Sequence, residues 1–131
     1  MNGRVLVRAP SSRLAEGIVT HISRIPVDVA LAREQHAAYA RALAAAGWMI
    51  GQAPAAEDCP DSVFIEDTVV ICEDLAVLTR PGAPARRAEV VGVARAVASL
   101  GLRTARIEDP GTLDGGDVLQ TGTTSCAPRD P

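Results

Sequence analysis

The chain has 131 residues, of which 47% are apolar, with a formal net charge of −3 and a pI near 5.3. This length fits one ordinary domain, and this apolar content is enough to build a core. The acidic balance argues against a nucleic-acid partner, and no stretch approaches the ~18 uninterrupted apolar residues of a membrane span. No secretory signal is visible either, so a cytoplasmic location is the default expectation.

Cysteine usage predicts neither a disulfide framework nor a structural zinc site. Cys59, Cys72 and Cys126 are odd in number and lack a paired Cys-x-x-Cys spacing. We therefore expect reduced thiols. The sequence around Gly115 lacks the lysine or the spaced third glycine of a phosphate-binding loop. We expect no metal and no cofactor.

The first half of the chain has the pattern of a strand, a helix and a second strand. Residues 5–7 form a short apolar run, and a long polar loop follows at about 11–26. A helix is predicted from Asp28, a good N-cap, to Ala46, with Gly47 in the left-handed position just past its end. Residues 48–50 are then the next strand candidate.

The second half repeats this order. Strands are predicted near 63–71 and 76–79, a helix over 84–100 that Gly101 ends, and a further strand over 102–107. A repeated strand–helix–strand unit cannot cover its own apolar face, so more units are expected than this chain contains. A last strand opens at 115–119, and the polar residues after it predict a disordered or frame-altered tail over 123–131.

Three acids, Asp61, Glu66 and Asp67, surround the apolar residues of one segment. Carboxylates beside a buried strand are costly to desolvate unless cations or hydrogen-bond donors meet them, so a cationic ligand is favoured. Glu66 and Asp67 point to opposite faces of an ideal strand. Both reach one site only at a strand end or a bulge.

Two further segments carry candidate chemistry. In residues 114–117, Asp114 and Asp117 flank two glycines that permit close backbone approach, and taken alone a simple turn into the next strand also explains them. Arg80, Arg86 and Arg87 flank a rigid turn where a guanidinium can bind a carboxylate, and a solvated helix start is the alternative.

No nucleophile is recognisable from the sequence. Cys59 and Cys126 have no neighbouring histidine that would stabilise a thiolate. His36 fits a packing position on an alanine-rich helix, and the role of His21, in the long loop, stays open.

Residues 61–67, 79–87 and 112–117 together resemble dimethylarginine dimethylaminohydrolase in residues, order and spacing. The resemblance runs over about 5–122 and implies the N-terminal half of a family member. It implies an α/β fold, a partial pentein propeller with about two ββαβ modules of a pseudo-symmetric five-module propeller. Residues 1–122 would form this incomplete domain, with 11–26 as its lid loop.

Members of that family hydrolyse N-methylated arginines to citrulline and a methylamine through a cysteine thiolate. By resemblance, Asp67 and Glu66 would bind the substrate guanidinium and Arg86 the α-carboxylate. Asp61 would bind the α-ammonium, together with the backbone carbonyl of Ile18. Each substrate charge would then meet an opposite protein charge.

Asp114 matches the acid that orients the family's catalytic histidine. That histidine and the nucleophilic cysteine have no match in this chain, so the chain alone is expected to be inactive. An arginine or agmatine deiminase-like member is one alternative, and a noncatalytic fragment that binds an organic cation or a divalent metal is another. The expected partner is a small methylated arginine, with no nucleic acid and no membrane, and the sequence leaves homo-oligomer formation open.

Overall fold

The structure is a computed structural model that describes residues 3–121 and the backbone of 125–128. It divides into two compact units, Met1–Val63 and Phe64–Pro131, each with its own strands and helix. Within the described residues, no helix is both long enough and apolar enough to cross a membrane.

The first unit is a strand–helix–strand motif. Strand β1 (Arg4–Val7) is followed by helix α1 (Val29–Ala45) and strand β2 (Met49–Gln52). The two strands pair in parallel, with Arg4 opposite Met49. A helical crossover is the usual connection between parallel strands, so the element order predicted for this half is confirmed.

Helix α1 begins and ends as its sequence predicts. The Oδ1 atom of Asp28 accepts a hydrogen bond of 3.0 Å from the backbone N–H of Leu31. Gly47, just past the end of the helix, has a φ of 94°. That conformation costs glycine little because it has no Cβ.

The single tryptophan of the chain belongs to this unit. The ring of Trp48 lies against the backbone of Gly3, where any Cβ would collide with it. The side chain keeps 44% of its surface exposed. Trp48 therefore covers the backbone just before β1 with one face and meets solvent with another.

The second unit is a three-stranded sheet covered by a helix. Strand β3 (Val69–Cys72) pairs antiparallel with β4 (Leu75–Leu78), and β4 pairs parallel with β5 (Arg103–Arg106). Helix α2 (Glu89–Ser99) connects β4 to β5. The core of this unit consists of small and branched apolar side chains, namely Val70, Ala76, Leu78, Val90, Val93 and Val97.

Helix α2 is shorter than the predicted helix over 84–100. Pro84–Arg86 forms a separate 3₁₀ turn, with Pro84 in its first turn, and the α-helix starts only at Glu89. Its end agrees with the prediction, since Gly101 has a φ of 73°. The turn before the helix carries Arg86 of the predicted site.

The long strand predicted near 63–71 is wrong in its first part. Ile65–Asp67 is a 3₁₀ turn, and only Val69–Cys72 is extended. The backbone N–H and the Oγ1 hydroxyl of Thr68 both donate to the carbonyl of Ile65, over 3.0 Å and 2.6 Å. Such local bonds compete with a strand ladder. They place Glu66 and Asp67 in a turn at the entrance to β3.

The last described elements form a two-stranded ribbon. A 3₁₀ turn at Gly115–Asp117 leads into β6 (Val118–Thr121), which pairs antiparallel with β7 (Ser125–Pro128). Of the tail predicted over 123–131, the structure describes only the backbone of Ser125–Pro128, and its disordered or frame-altered character stays a prediction. The rest of that tail lies outside the described residues.

The cysteines differ from the expectation of reduced thiols at one position. Cys59 is buried and is not part of a disulfide, as predicted. Cys72, at the end of β3, is disulfide-bonded, so the prediction is wrong there.

Candidate functional site

In the first unit, Asp61 lies beneath the backbone of the long loop. Its Oδ2 atom accepts a hydrogen bond of 3.0 Å from the backbone N–H of Ile18. The carboxylate also lies against Gly17, where a Cβ would collide with Oδ1. The structure therefore brings together Asp61 and Ile18, two of the residues singled out from the sequence.

The loop itself is fixed by polar contacts rather than by a core. The Arg24 guanidinium donates to the carbonyl oxygens of Ala15 and Gly17, the latter over 2.7 Å. The backbone N–H of Ser12 donates to the Glu57 carboxylate over 3.0 Å. This hydrogen bond is the main cause that lowers the pKa of Glu57 below its usual value.

In the second unit, one guanidinium is shared by two carboxylates. The Nη1 atom of Arg86 lies 2.7 Å from Oδ2 of Asp67. Its Nε and Nη2 atoms donate to the two carboxylate oxygens of Glu89, over 3.1 Å and 2.9 Å. The side chains of Arg86, Asp67 and Glu89 are 13%, 19% and 1% exposed, so this network is mostly buried.

Burial and pairing act in opposite directions on the Arg86 guanidinium. Desolvation by itself would lower its pKa, whereas the hydrogen bonds and charges of Glu89 and Asp67 raise it, and the net effect is a raised pKa. Arg86 is therefore a permanent cation. Its guanidinium is paired with both Asp67 and Glu89.

Asp67 also links this network to the third motif of the sequence. Its Oδ1 atom accepts a hydrogen bond of 2.9 Å from the backbone N–H of Gly116. Gly115 lies directly against the carbonyl oxygen of Glu66, where a Cβ would overlap that oxygen. The backbone carbonyl of Asp67 accepts from the Thr79 hydroxyl over 2.6 Å. Segments distant in sequence thus meet at Asp67.

Asp114 contacts a different segment of the same unit. Its Oδ2 atom accepts a hydrogen bond of 3.3 Å from the backbone N–H of Gly82. Beside it, the backbone N–H of Leu113 donates to the carbonyl of Arg80 over 2.8 Å. These two bonds attach the 112–117 segment to the turn before helix α2.

Glu89 belongs to the network around Arg86 and is not among the residues singled out from the sequence. An acid in the first turn of a helix is ordinary, because it favours the helix N-terminus, so its type gave no signal. The sequence feature that could have indicated its contact with Arg86 is the spacing of three residues between them across the turn. The described residues hold no group of three or more His, Cys, Asp or Glu side chains suited to a metal ion.

Two curated proteins with similar sequences carry the same name. The chain is 56% identical over 121 residues to the N(G),N(G)-dimethylarginine dimethylaminohydrolase of Streptomyces coelicolor, covering 92% of this chain and 47% of the relative. It is 38% identical over 120 residues to the enzyme of that name from Pseudomonas aeruginosa, covering 90% and 46%. The chain therefore spans about half the length of the curated relatives it matches. No family model matches it.

Solved structures agree in fold. A mutant of the Pseudomonas aeruginosa enzyme complexed with citrulline superposes with a TM-score of 0.85 at 39% identity, covering 93% of this chain and 48% of that one. The N-terminal domain of ArgZ, a cyanobacterial arginine dihydrolase, superposes with a TM-score of 0.77 at 18% identity, covering 88% and 44%.

The likeness to solved structures shows the fold class of the chain. The chain has the α/β fold that these enzymes share, which confirms the α/β class predicted from the sequence, and the partial propeller stays a prediction. At the level of sequence, it belongs to the dimethylarginine dimethylaminohydrolase family and corresponds to about half of a member. The roles suggested for its individual site residues stay predictions.

Proposed function

We propose that this chain carries much of the substrate pocket of a dimethylargininase. A complete protein of this kind would hydrolyse an N-methylated arginine to citrulline and methylamine or dimethylamine, through a cysteine thiolate. The observation that carries the proposal is the fixed carboxylate of Asp67, held by Gly116 on one oxygen and by Arg86 on the other. Asp67 lies in one of the three segments that resemble the family.

The Asp67 carboxylate supports a cationic ligand. Its side chain is only 19% exposed, and a buried carboxylate is favourable only where cations or hydrogen-bond donors meet it. Each carboxylate oxygen of Asp67 has a further lone pair, so it can accept another hydrogen bond. A planar guanidinium matches such an acceptor well.

The proposed roles follow the resemblance. Asp67 and Glu66 bind the guanidinium of the substrate, and Arg86 binds its α-carboxylate. Asp61 binds the α-ammonium with the carbonyl of Ile18, and the contact between these two residues supports this pairing.

Asp114 is proposed to orient a catalytic histidine that this chain does not supply. His21 and His36 lie outside the three matched motifs, so we further propose that the chain alone does not turn over substrate. As for architecture, it would supply about two ββαβ modules of a five-module propeller.

The test uses the purified chain and asymmetric dimethylarginine. Calorimetry is expected to detect binding, and a citrulline assay is expected to detect no turnover. Asp67→Asn should abolish binding, whereas Asp74→Asn, which breaks an exposed ion pair with Arg103, should not. Clear turnover would overturn the proposed inactivity. A chain that binds calcium or magnesium but no guanidinium compound would overturn the proposed pocket.

The same experiment identifies the substrate. L-arginine, agmatine and methylated arginines are offered in parallel to the chain. Preference for agmatine would favour an agmatine deiminase-like member, and preference for unmethylated arginine an arginine deiminase-like member. Arg86 in the network favours an amino-acid ligand, because agmatine has no carboxylate for it to bind.

A further inference from the structure

We infer that Glu89 is a positioning residue that fixes the orientation of Arg86, so that one edge of the guanidinium faces Asp67 and the group can receive a ligand carboxylate. This inference rests on the proposed function, since it concerns how Arg86 reaches its ligand. Glu89 itself would touch no substrate.

The geometry shows how the orientation is fixed. Glu89 engages both Nε and Nη2 of Arg86, a bidentate arrangement that defines the plane of the guanidinium and its rotation. With these two atoms held, Nη1 is directed to Oδ2 of Asp67 at 2.7 Å. A single hydrogen bond would leave the guanidinium free to swing.

The position of Glu89 makes it a rigid anchor. It lies in the first turn of helix α2, its side chain is 1% exposed, and the next residue, Val90, is a core residue. Arg103 and Asp74 form a similar bidentate pair elsewhere in this unit, but their side chains are 71% and 64% exposed. That pair provides a matched control with the same chemistry and no burial.

Stability alone does not explain a carboxylate in this place. Removing a carboxylate from water is costly, and a buried ion pair is often no more stabilising than apolar residues of the same volume. The preference of a helix N-terminus for acids accounts for a glutamate, but it does not account for its burial. Beyond any effect on stability, the pair fixes the orientation of the Arg86 guanidinium.

Glu89→Gln is the informative change because it keeps the size of the side chain. A glutamine has one acceptor oxygen and presents an amide N–H₂ to a guanidinium that only donates. The bidentate contact is lost, and Arg86 can rotate away from Asp67. Glu89→Asp keeps the charge on a shorter side chain and should restore part of the contact.

Two measurements on the chain test the inference. The first is the Nε–H signal of Arg86 in ligand-free NMR spectra, assigned by its loss in Arg86→Lys. Its exchange with water should be slow in the wild-type chain and in Asp74→Asn, and fast in Glu89→Gln. The second compares the affinities for asymmetric dimethylarginine and for N,N-dimethylagmatine, which differ only in the α-carboxylate.

Glu89→Gln should weaken dimethylarginine binding by about tenfold and change dimethylagmatine binding by no more than about twofold. Glu89→Asp should give an intermediate loss of dimethylarginine affinity. If circular dichroism shows that Glu89→Gln is unfolded, the measurements on Glu89→Asp decide the test. An unchanged Nε–H signal, or an unchanged ratio of the two affinities, overturns the role of Glu89. If the wild-type chain binds neither compound, the proposed function fails, and the Nε–H signal still decides whether Glu89 orients Arg86.

Discussion

The backbone N–H of Gly116 donates a hydrogen bond of 2.9 Å to the Oδ1 atom of Asp67, across 49 residues of chain. The other oxygen of the same carboxylate pairs with Arg86. The Asp67 carboxylate thus connects distant segments of the second unit, and it is also the proposed contact for the substrate guanidinium. Substitutions at and around it should affect both stability and ligand affinity.

Asp67→Asn should lower the free energy of unfolding by about 2 kcal/mol, because it leaves a mostly buried Arg86 without one of its counter-charges. Asp109→Asn is the control, since Asp109 pairs with Arg80 but its side chain is 78% exposed. We expect a loss of no more than about 1 kcal/mol there. Urea unfolding followed by circular dichroism measures both, and equal losses would contradict the importance of burial at Asp67.

Gly115→Ala should destabilise the second unit by about 2 kcal/mol or more, since the new methyl group overlaps the carbonyl oxygen of Glu66 and backbone must move. The control is Gly82→Ala, where the nearest atom to the new Cβ is 3.4 Å away, an ordinary contact. The same urea experiment applies. A Gly115→Ala chain as stable as the Gly82→Ala chain would show that the approach of these two segments is looser than described.

Glu57 should titrate below its ordinary pKa of 4.5, mainly because the backbone N–H of Ser12 donates to its carboxylate. A lowered folded-state pKa contributes stability that is present above pH 4.5 and is lost as the pH falls through the folded-state pKa. Carboxyl-detected NMR titration of the chain, compared with a short peptide containing Glu57, measures the shift. A midpoint equal to that of the peptide would mean that the bond to Ser12 is absent in solution.

Asp28→Ala should lower stability by about 1 kcal/mol, because the Leu31 N–H at the start of helix α1 loses its acceptor. Asp28→Asn keeps an acceptor oxygen at the same place and should lower stability by only a few tenths of a kcal/mol. Thermal unfolding followed at a helix-sensitive wavelength compares the two. If both substitutions cost the same, the charge rather than the hydrogen bond stabilises this end of the helix.

The sequence predicts best the features that depend on neighbouring residues. The cap at Asp28 and the glycine ends at Gly47 and Gly101 are local, and the structure confirms all three. The turn at Ile65–Asp67 was missed although it is also local. The β-branched residues around it favour a strand, and the hydrogen bonds of Thr68 to Ile65 outweigh that preference.

The features that depend on tertiary packing could not be predicted from residue patterns. Nothing near Glu89 in the sequence indicates that its carboxylate is buried, since that depends on the arrangement of Arg86 and the sheet. The contact between Asp61 and Ile18 depends on the course of a long loop. Only the resemblance to a family suggested that these two residues act together.

The placement of Trp48 against Gly3 decides what an optical experiment on this chain can report. The chain has one indole, and it lies in Met1–Val63, so tryptophan fluorescence reports on the surroundings of Trp48. The unit Phe64–Pro131 has no tryptophan of its own. A tryptophan introduced at Phe64, which is 46% exposed, would give the second unit a reporter of its own.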